Sequence, residues 1–97
     1  MLTLVNVFTV QPGKQADLVN VSIRATNDVV KQMPGFISAS IHRSFDGTKV
    51  VNYAQWTDQG AFQAMQNNLK AAEHMKLAAS MATFDPILCE VSESVSI

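Results

Sequence analysis

The sequence has little charge, a single cysteine and no strongly basic stretch. Only 15% of its 97 residues are charged, and 7 Lys and Arg against 8 Asp and Glu leave a net charge of −1. Because this balance provides no basic patch, nucleic acid and anionic membrane surfaces are not expected partners. The one cysteine, Cys89, excludes an internal disulfide and a metal site built from several thiolates.

Long hydrophobic runs and leader-like patterns are also missing. No apolar stretch approaches the length that spans a bilayer, and residues 1–4 lead directly into an alternating segment without a basic n-region. These absences predict a soluble, cytoplasmic protein. The sequence also lacks an activated nucleophile, paired carboxylates and a cluster of metal ligands, so no metal site is predicted and nothing in the pattern by itself demands catalysis.

The composition that remains is typical of one small globular domain covering residues 1–97. Hydrophobic residues make up 47% of the chain, enough for a modest core. The low charged fraction suggests that part of the surface is covered by a second copy of the chain.

Hydrophobic periodicity and turn signals predict four strands and two helices. The predicted strands cover residues 2–10, 36–45, 48–57 and 83–94, and the helices cover residues 14–32 and 58–81, the second with a possible interruption at Asn67–Asn68. Pro86 cannot donate to a strand ladder and predicts an edge, a bulge or a strand start. This order indicates an α+β, ferredoxin-like βαββαβ fold with two helices on one face of an antiparallel sheet.

The strand after Asp46–Gly47 contains an unusual pairing of an amide and an indole. Alternation places Val50, Asn52, Ala54 and Trp56 on one face of this strand. Such a face can line a cavity, although Trp56 as core bulk and Asn52 as a backbone-paired amide remain an open alternative.

The hairpin register decides which residues join that face. A two-residue turn would place Ile41 opposite Asn52, whereas a type I turn with a bulge at Gly47 would place Ser40 opposite Asn52. We prefer the bulge, because it segregates the apolar residues of both strands on one face; Ser40 and His42 then join Asn52 and Trp56 on the other. The opposite face is then apolar and predicts face-to-face packing into a homodimer through Val5, Val7, Ile37, Ile41, Val51 and Tyr53.

Several segments together resemble the antibiotic biosynthesis monooxygenase family. They are Met33-Pro34-Gly35-Phe36, His42-Arg43-Ser44, Asp46-Gly47, Val51-Asn52-Tyr53-Ala54-Gln55-Trp56 and Ala61-Phe62. The resemblance covers nearly the whole chain. It implies a dimeric α+β barrel with a pocket between sheet and helices in each subunit.

The resemblance further implies oxygenation of polycyclic phenols to quinones by O₂ without a cofactor. It assigns catalytic roles to Asn52, Trp56 and His42: the amide would hold a phenolate oxygen and the indole N–H would donate to a carbonyl or peroxo oxygen. Substrate contacts are expected from Asn6, Ser40, Phe62, Met65 and His74. Phe62 stands where enzymes of this group tend to have a tyrosine.

Other functions remain open within the same fold. Haem-degrading relatives place an Asn and a haem-ligating His about where Asn6 and His74 stand, although Met65 replaces their helical Trp. A sugar-phosphate isomerase would need phosphate binding, for which Lys76 and Arg43 are the candidates. A non-catalytic dimeric barrel that binds a small ligand is the third possibility.

Overall fold

The strands form one antiparallel sheet whose central members are the first and third in the sequence. The computed structural model describes all residues, 1–97. Its elements are β1 (Leu2–Val10), α1 (Gln15–Asp28), a 3₁₀ turn (Val30–Gln32), β2 (Phe36–Arg43), β3 (Lys49–Trp56), α2 (Gln59–Gln66), α3 (Leu69–Ala79) and β4 (Ala82–Cys89). The sheet order β2–β3–β1–β4 confirms the ferredoxin-like α+β fold, with Pro86 on an edge strand as its chemistry requires.

Side-chain caps set where the helices behind the sheet begin. The Asp58 carboxylate accepts a hydrogen bond from the Ala61 N–H at 2.8 Å and starts α2. The Asn68 side chain accepts from the N–H groups of Lys70 and Ala71 and starts α3, so the predicted second helix is two helices. The predicted first helix ends earlier than residue 32, at Asp28, and continues as the 3₁₀ turn.

Two apolar clusters fill the space between the sheet and the helices. One contains Phe8, Val10, Leu18, Val50, Ala78 and Ala82, and the other contains Leu4, Ala54, Trp56 and Phe62. Asn6 and Asn52 lie opposite each other on β1 and β3, each between residues of the two clusters. The core is therefore divided by a pair of amides at the centre of the sheet.

The preferred hairpin register is wrong. Ile41 lies opposite Asn52 and Ala39 opposite Ala54, and the bulge occurs between Phe36 and Ser38 rather than at Gly47. Ile41 accordingly packs against the first apolar cluster beneath the helices. Ser40 and His42 are exposed on the other face of the sheet, because a one-residue shift in register exchanges the two faces.

A four-residue loop fixes the observed register. The Ser44 N–H donates to the Lys49 carbonyl at 3.0 Å and closes the loop. The Asp46 carboxylate accepts from the hydroxyls of Ser44 and Thr48, both at 2.7 Å. The pKa of Asp46 is lowered to about 2, chiefly by the hydrogen bond from Ser44 and next by the hydrogen bonds from Thr48. The Gln15 amide of α1 also donates to the Ser44 and Lys49 carbonyls, which ties the hairpin to the first helix.

The sheet face away from the helices is partly apolar. Val5, Val7 and Val51 are half-buried there, and Tyr53 is 38% exposed. None of the helices combines the length and the apolar character needed to cross a bilayer.

Candidate active site

An apolar cavity lies between the centre of the sheet and helices α1 and α3. Its volume is about 100 Å³, and 13 of its 18 lining residues are hydrophobic. The five polar lining residues are Asn6, Ser22, Thr26, Asn52 and His74. A mostly apolar enclosure with a few polar groups is typical of a small-molecule site.

Three polar side chains of this cavity have buried atoms without a hydrogen-bond partner. These atoms are the Oδ1 of Asn6, the Oδ1 of Asn52 and the Nε1 of Trp56. None of the three atoms pairs with another group of the protein, so all three are free to bond a ligand or solvent inside the cavity. Because Asn6 and Asn52 are direct cross-strand neighbours, their side chains start only about 5 Å apart and can contact one ligand together.

Trp56 is held rigidly by two phenylalanines. The rings of Phe36 and Phe62 meet the indole edge-on, at centroid distances of 5.3 Å and 6.3 Å. The Trp56 side chain is only 1% exposed. Its N–H is therefore fixed in direction by packing, which suits a donor that must bind a ligand atom without reorganisation.

His74 contributes the ionisable group of the cavity. The imidazole is half-buried on α3, and its Nδ1 lies 2.9 Å from the Lys70 carbonyl oxygen one turn earlier. None of the other 17 lining residues carries an ionisable side chain. The site thus combines two amides, one indole donor and one imidazole.

The cavity continues into a larger cleft between helices α2 and α3 and strands β1 and β4. This cleft has a volume of about 440 Å³, within the range of small-ligand pockets. The two spaces share Leu4, Asn6, Met65, Ala71 and Met75. Lys76 is the one charged residue that lines the cleft. A ligand larger than the inner cavity can therefore extend outward over α3.

The structure brings together most, but not all, of the predicted site residues. Asn6, Asn52, Trp56, Met65 and His74 line the inner cavity. Phe62 supports Trp56 and lines the outer cleft instead.

His42 and Ser40 do not belong to the cavity. The prediction that they share it with Asn52 and Trp56 is wrong, because the observed register turns both side chains to the opposite face of the sheet.

Two lining residues on α1 have no role in the sequence prediction. Ser22 and Thr26 border the cavity, and the Thr26 hydroxyl donates to the Ser22 carbonyl at 2.9 Å. The available signal is that Ser22 interrupts the apolar stripe of this helix. Across the 97 residues, no group of three or more His, Cys, Asp or Glu side chains is placed to hold a metal ion.

Comparisons with known proteins agree with this architecture. The sequence profile described as "Antibiotic biosynthesis monooxygenase" matches residues 1–79. The tetracenomycin-F1 monooxygenase of Streptomyces glaucescens is 44% identical over 94 residues, which cover 97% of this chain and 84% of that protein.

Solved structures with the same fold include two Streptomyces oxygenases. SnoaB of Streptomyces nogalater, a cofactor-independent oxygenase, superposes with a TM-score of 0.89 at 27% identity, covering 97% of this chain and 95% of SnoaB. The ActVA-Orf6 monooxygenase of Streptomyces coelicolor, solved with nanaomycin D, also gives a TM-score of 0.89 at 27% identity, covering 99% of this chain and 91% of that one. The chain therefore belongs to the antibiotic biosynthesis monooxygenase family and is a monooxygenase, as the resemblance implied.

Proposed function

We propose that the chain, as one domain of residues 1–97, oxidises a fused-ring phenolic compound to its quinone with O₂ and without a cofactor. The observation that carries this proposal is the set of unpaired polar atoms on Asn6, Asn52 and Trp56 in one apolar cavity. The similarity to an enzyme named for tetracenomycin F1, and to one solved with nanaomycin D, supports a polycyclic substrate.

The reaction needs a phenol that loses a proton and then gives electrons to O₂. A ring methylene carbon becomes a carbonyl. In the phenol tautomer of the substrate one of the two methylene hydrogens resides on the phenol oxygen, so one atom of O₂ enters the carbon and the other leaves as water with the phenol hydrogen and the remaining carbon-bound hydrogen. No external reductant is required, because the substrate supplies all four electrons that reduce O₂. The electron-rich phenolate is thus the species that the site must stabilise.

The polar groups of the cavity match this requirement. An unpaired amide offers an acceptor for a phenol O–H and, through its NH₂ group, a donor for the phenolate. Asn52 and Asn6 can therefore hydrogen-bond the substrate oxygen both before and after it loses its proton. The Trp56 N–H can donate to the oxygen that becomes negative during O₂ addition. The mostly apolar lining around these groups strengthens each of these interactions.

The test measures O₂ uptake and quinone formation with an anthrone or naphthol substrate, using chelator-treated protein without added flavin or haem. Labelled ¹⁸O₂ is expected to place one oxygen atom in the product.

Trp56→Phe keeps an aromatic ring but loses the N–H donor, so the rate is expected to fall roughly 10- to 150-fold, equivalent to about 1.5–3 kcal/mol.

The alternatives predict different results in the same assay. Turnover only after haem addition, with a Soret shift that Trp56→Phe retains and His74→Ala loses, would support the haem function through His74 and Asn6. Tight binding of the ring compound without O₂ uptake would leave a ligand-binding barrel. Either result contradicts the proposed oxygenase.

We also propose that two copies pack through the sheet face that bears Val5, Val7, Val51 and Tyr53. The support is the partly apolar surface of that face, which otherwise remains in water. Val51→Lys is expected to convert a dimer into a monomer in sedimentation measurements, because burying a lysine at such an interface is strongly unfavourable. The control is Asn20→Lys on the exposed side of α1, which should remain dimeric, and a monomeric parent protein contradicts the dimer.

A further inference from the structure

We infer that His74 is the general base of the oxygenation, accepting the substrate proton on Nε2 and returning it to the departing oxygen. This inference rests on the proposed function and adds to it the residue that moves protons. The pattern of asparagines and tryptophan explains binding and charge stabilisation, but none of those side chains accepts a proton near neutral pH.

The lining of the cavity leaves one candidate for proton transfer. His74 is its only ionisable residue, while the lining residues from α1, β1, β2, β3 and α2 are all uncharged. Lys76 lines only the outer cleft, and as an ammonium group it has no lone pair to accept a proton. Within the inner cavity, His74 is therefore the one side chain that can accept the proton of a bound phenol.

The hydrogen bond to Lys70 determines which imidazole nitrogen is basic. A carbonyl oxygen only accepts hydrogen bonds, so the contact of 2.9 Å requires the proton of the neutral ring to reside on Nδ1. Nε2 then carries the free lone pair. The same bond orients the ring and persists after protonation, when both nitrogens are donors.

His74 alone can carry out every proton transfer of the reaction. The phenol O–H bond breaks and an Nε2–H bond forms, leaving the electron pair on the substrate. After O₂ adds to the ring carbon, Nε2 returns the proton to the terminal peroxide oxygen. Nε2 then takes the remaining hydrogen of that carbon as the O–O bond breaks, and the released hydroxide receives this proton and leaves as water. The imidazole ends in its starting form.

The test compares His74→Gln with the parent enzyme between neutral and alkaline pH. At neutral pH kcat is expected to fall by about 10²- to 10⁴-fold, the usual contribution of general acid–base catalysis, with KM little changed. The difference should shrink as the pH passes the pKa of the free substrate, because the phenolate then arrives already formed. His74→Asn should give the same pH profile, and agreement between the two variants excludes a folding defect that is particular to one of them.

Two controls separate a base from a merely structural histidine. Glu73→Gln removes an exposed ionisable group next to His74 on the same helix and should keep the rates and pH profile of the parent. Quenching of Trp56, the single tryptophan of the chain, by bound quinone should be the same in His74→Gln and in the parent. A deficit that stays constant with pH means that His74 does not accept the phenol proton, and it overturns the inference.

The two hypotheses fail in different ways. If the parent protein does not oxidise the ring substrates at any pH, the proposed function is wrong. If the parent is active, Trp56→Phe is slow and His74→Gln is as fast as the parent at neutral pH, the oxygenase stands and the base assignment is wrong.

Discussion

Asn52→Leu is expected to lower kcat/KM about 10²- to 10³-fold while making the protein more stable. The activity falls because a preorganised polar group that contacts the developing charge is worth this much in other enzymes. The stability rises because the Oδ1 of Asn52, which is buried without a hydrogen-bond partner from the protein, is replaced by apolar atoms next to Ala54. Relief of about 1–3 kcal/mol should raise Tm by several degrees in a domain of this size.

Thr3→Val is the matched control for the stability half of this prediction. The Thr3 hydroxyl is also buried without a partner, but Thr3 lies on the face of β1 opposite to Asn6 and does not line the cavity. Its replacement should raise Tm and leave oxygen uptake unchanged. If Asn52→Leu instead retains activity and unfolds at a lower temperature, Asn52 is a structural amide and the alternative of ordinary core packing is correct.

The sequence predicted the polar centre of the site because strand periodicity is local. Asn52 and Trp56 are four positions apart, so any strand through them places both on one face. Asn6 has the same phase in β1, but its position directly opposite Asn52 depends on the pairing of two strands 46 residues apart. Neither composition nor periodicity indicates that these two strands pair with Asn6 opposite Asn52. That the amide oxygens have no hydrogen-bond partner could be recognised only from the three-dimensional structure.

The loss of His42 and Ser40 from the site has a single cause. A one-residue change of register exchanges the faces of a strand, and the register of β2 depends on contacts outside the turn. The amide of Gln15, 29 residues before Ser44, bonds to both ends of the hairpin loop. The Asp46–Gly47 pair predicted a turn correctly, but a local turn signal does not contain this long-range constraint.

The site also depends on a close approach between the β2 strand and α2, and Gly35→Ala is expected to disrupt it. Gly35 precedes β2 with φ of +86°, and a Cβ there would overlap the Cβ of Ala61 and lie 2.7 Å from the Thr57 hydroxyl. The left-handed backbone costs about 1–2 kcal/mol in any other residue, and the overlap adds about 1–3 kcal/mol. The free energy of unfolding should therefore fall by roughly 2–5 kcal/mol in denaturant titrations.

Gly13→Ala separates the two contributions. Gly13 also has positive φ, +77°, but its Cβ would meet no atom within 4 Å, so only the backbone cost of about 1–2 kcal/mol applies.

The double variant Gly35→Ala/Ala61→Gly removes the Cβ that the new methyl would meet and should recover part of the loss, less about 1 kcal/mol for glycine inside α2. Equal destabilisation by Gly35→Ala and Gly13→Ala would contradict the close approach. Because the Thr57 N–H, next to Trp56, donates to the Gly35 carbonyl at 2.8 Å, this contact also fixes where the indole of the cavity sits.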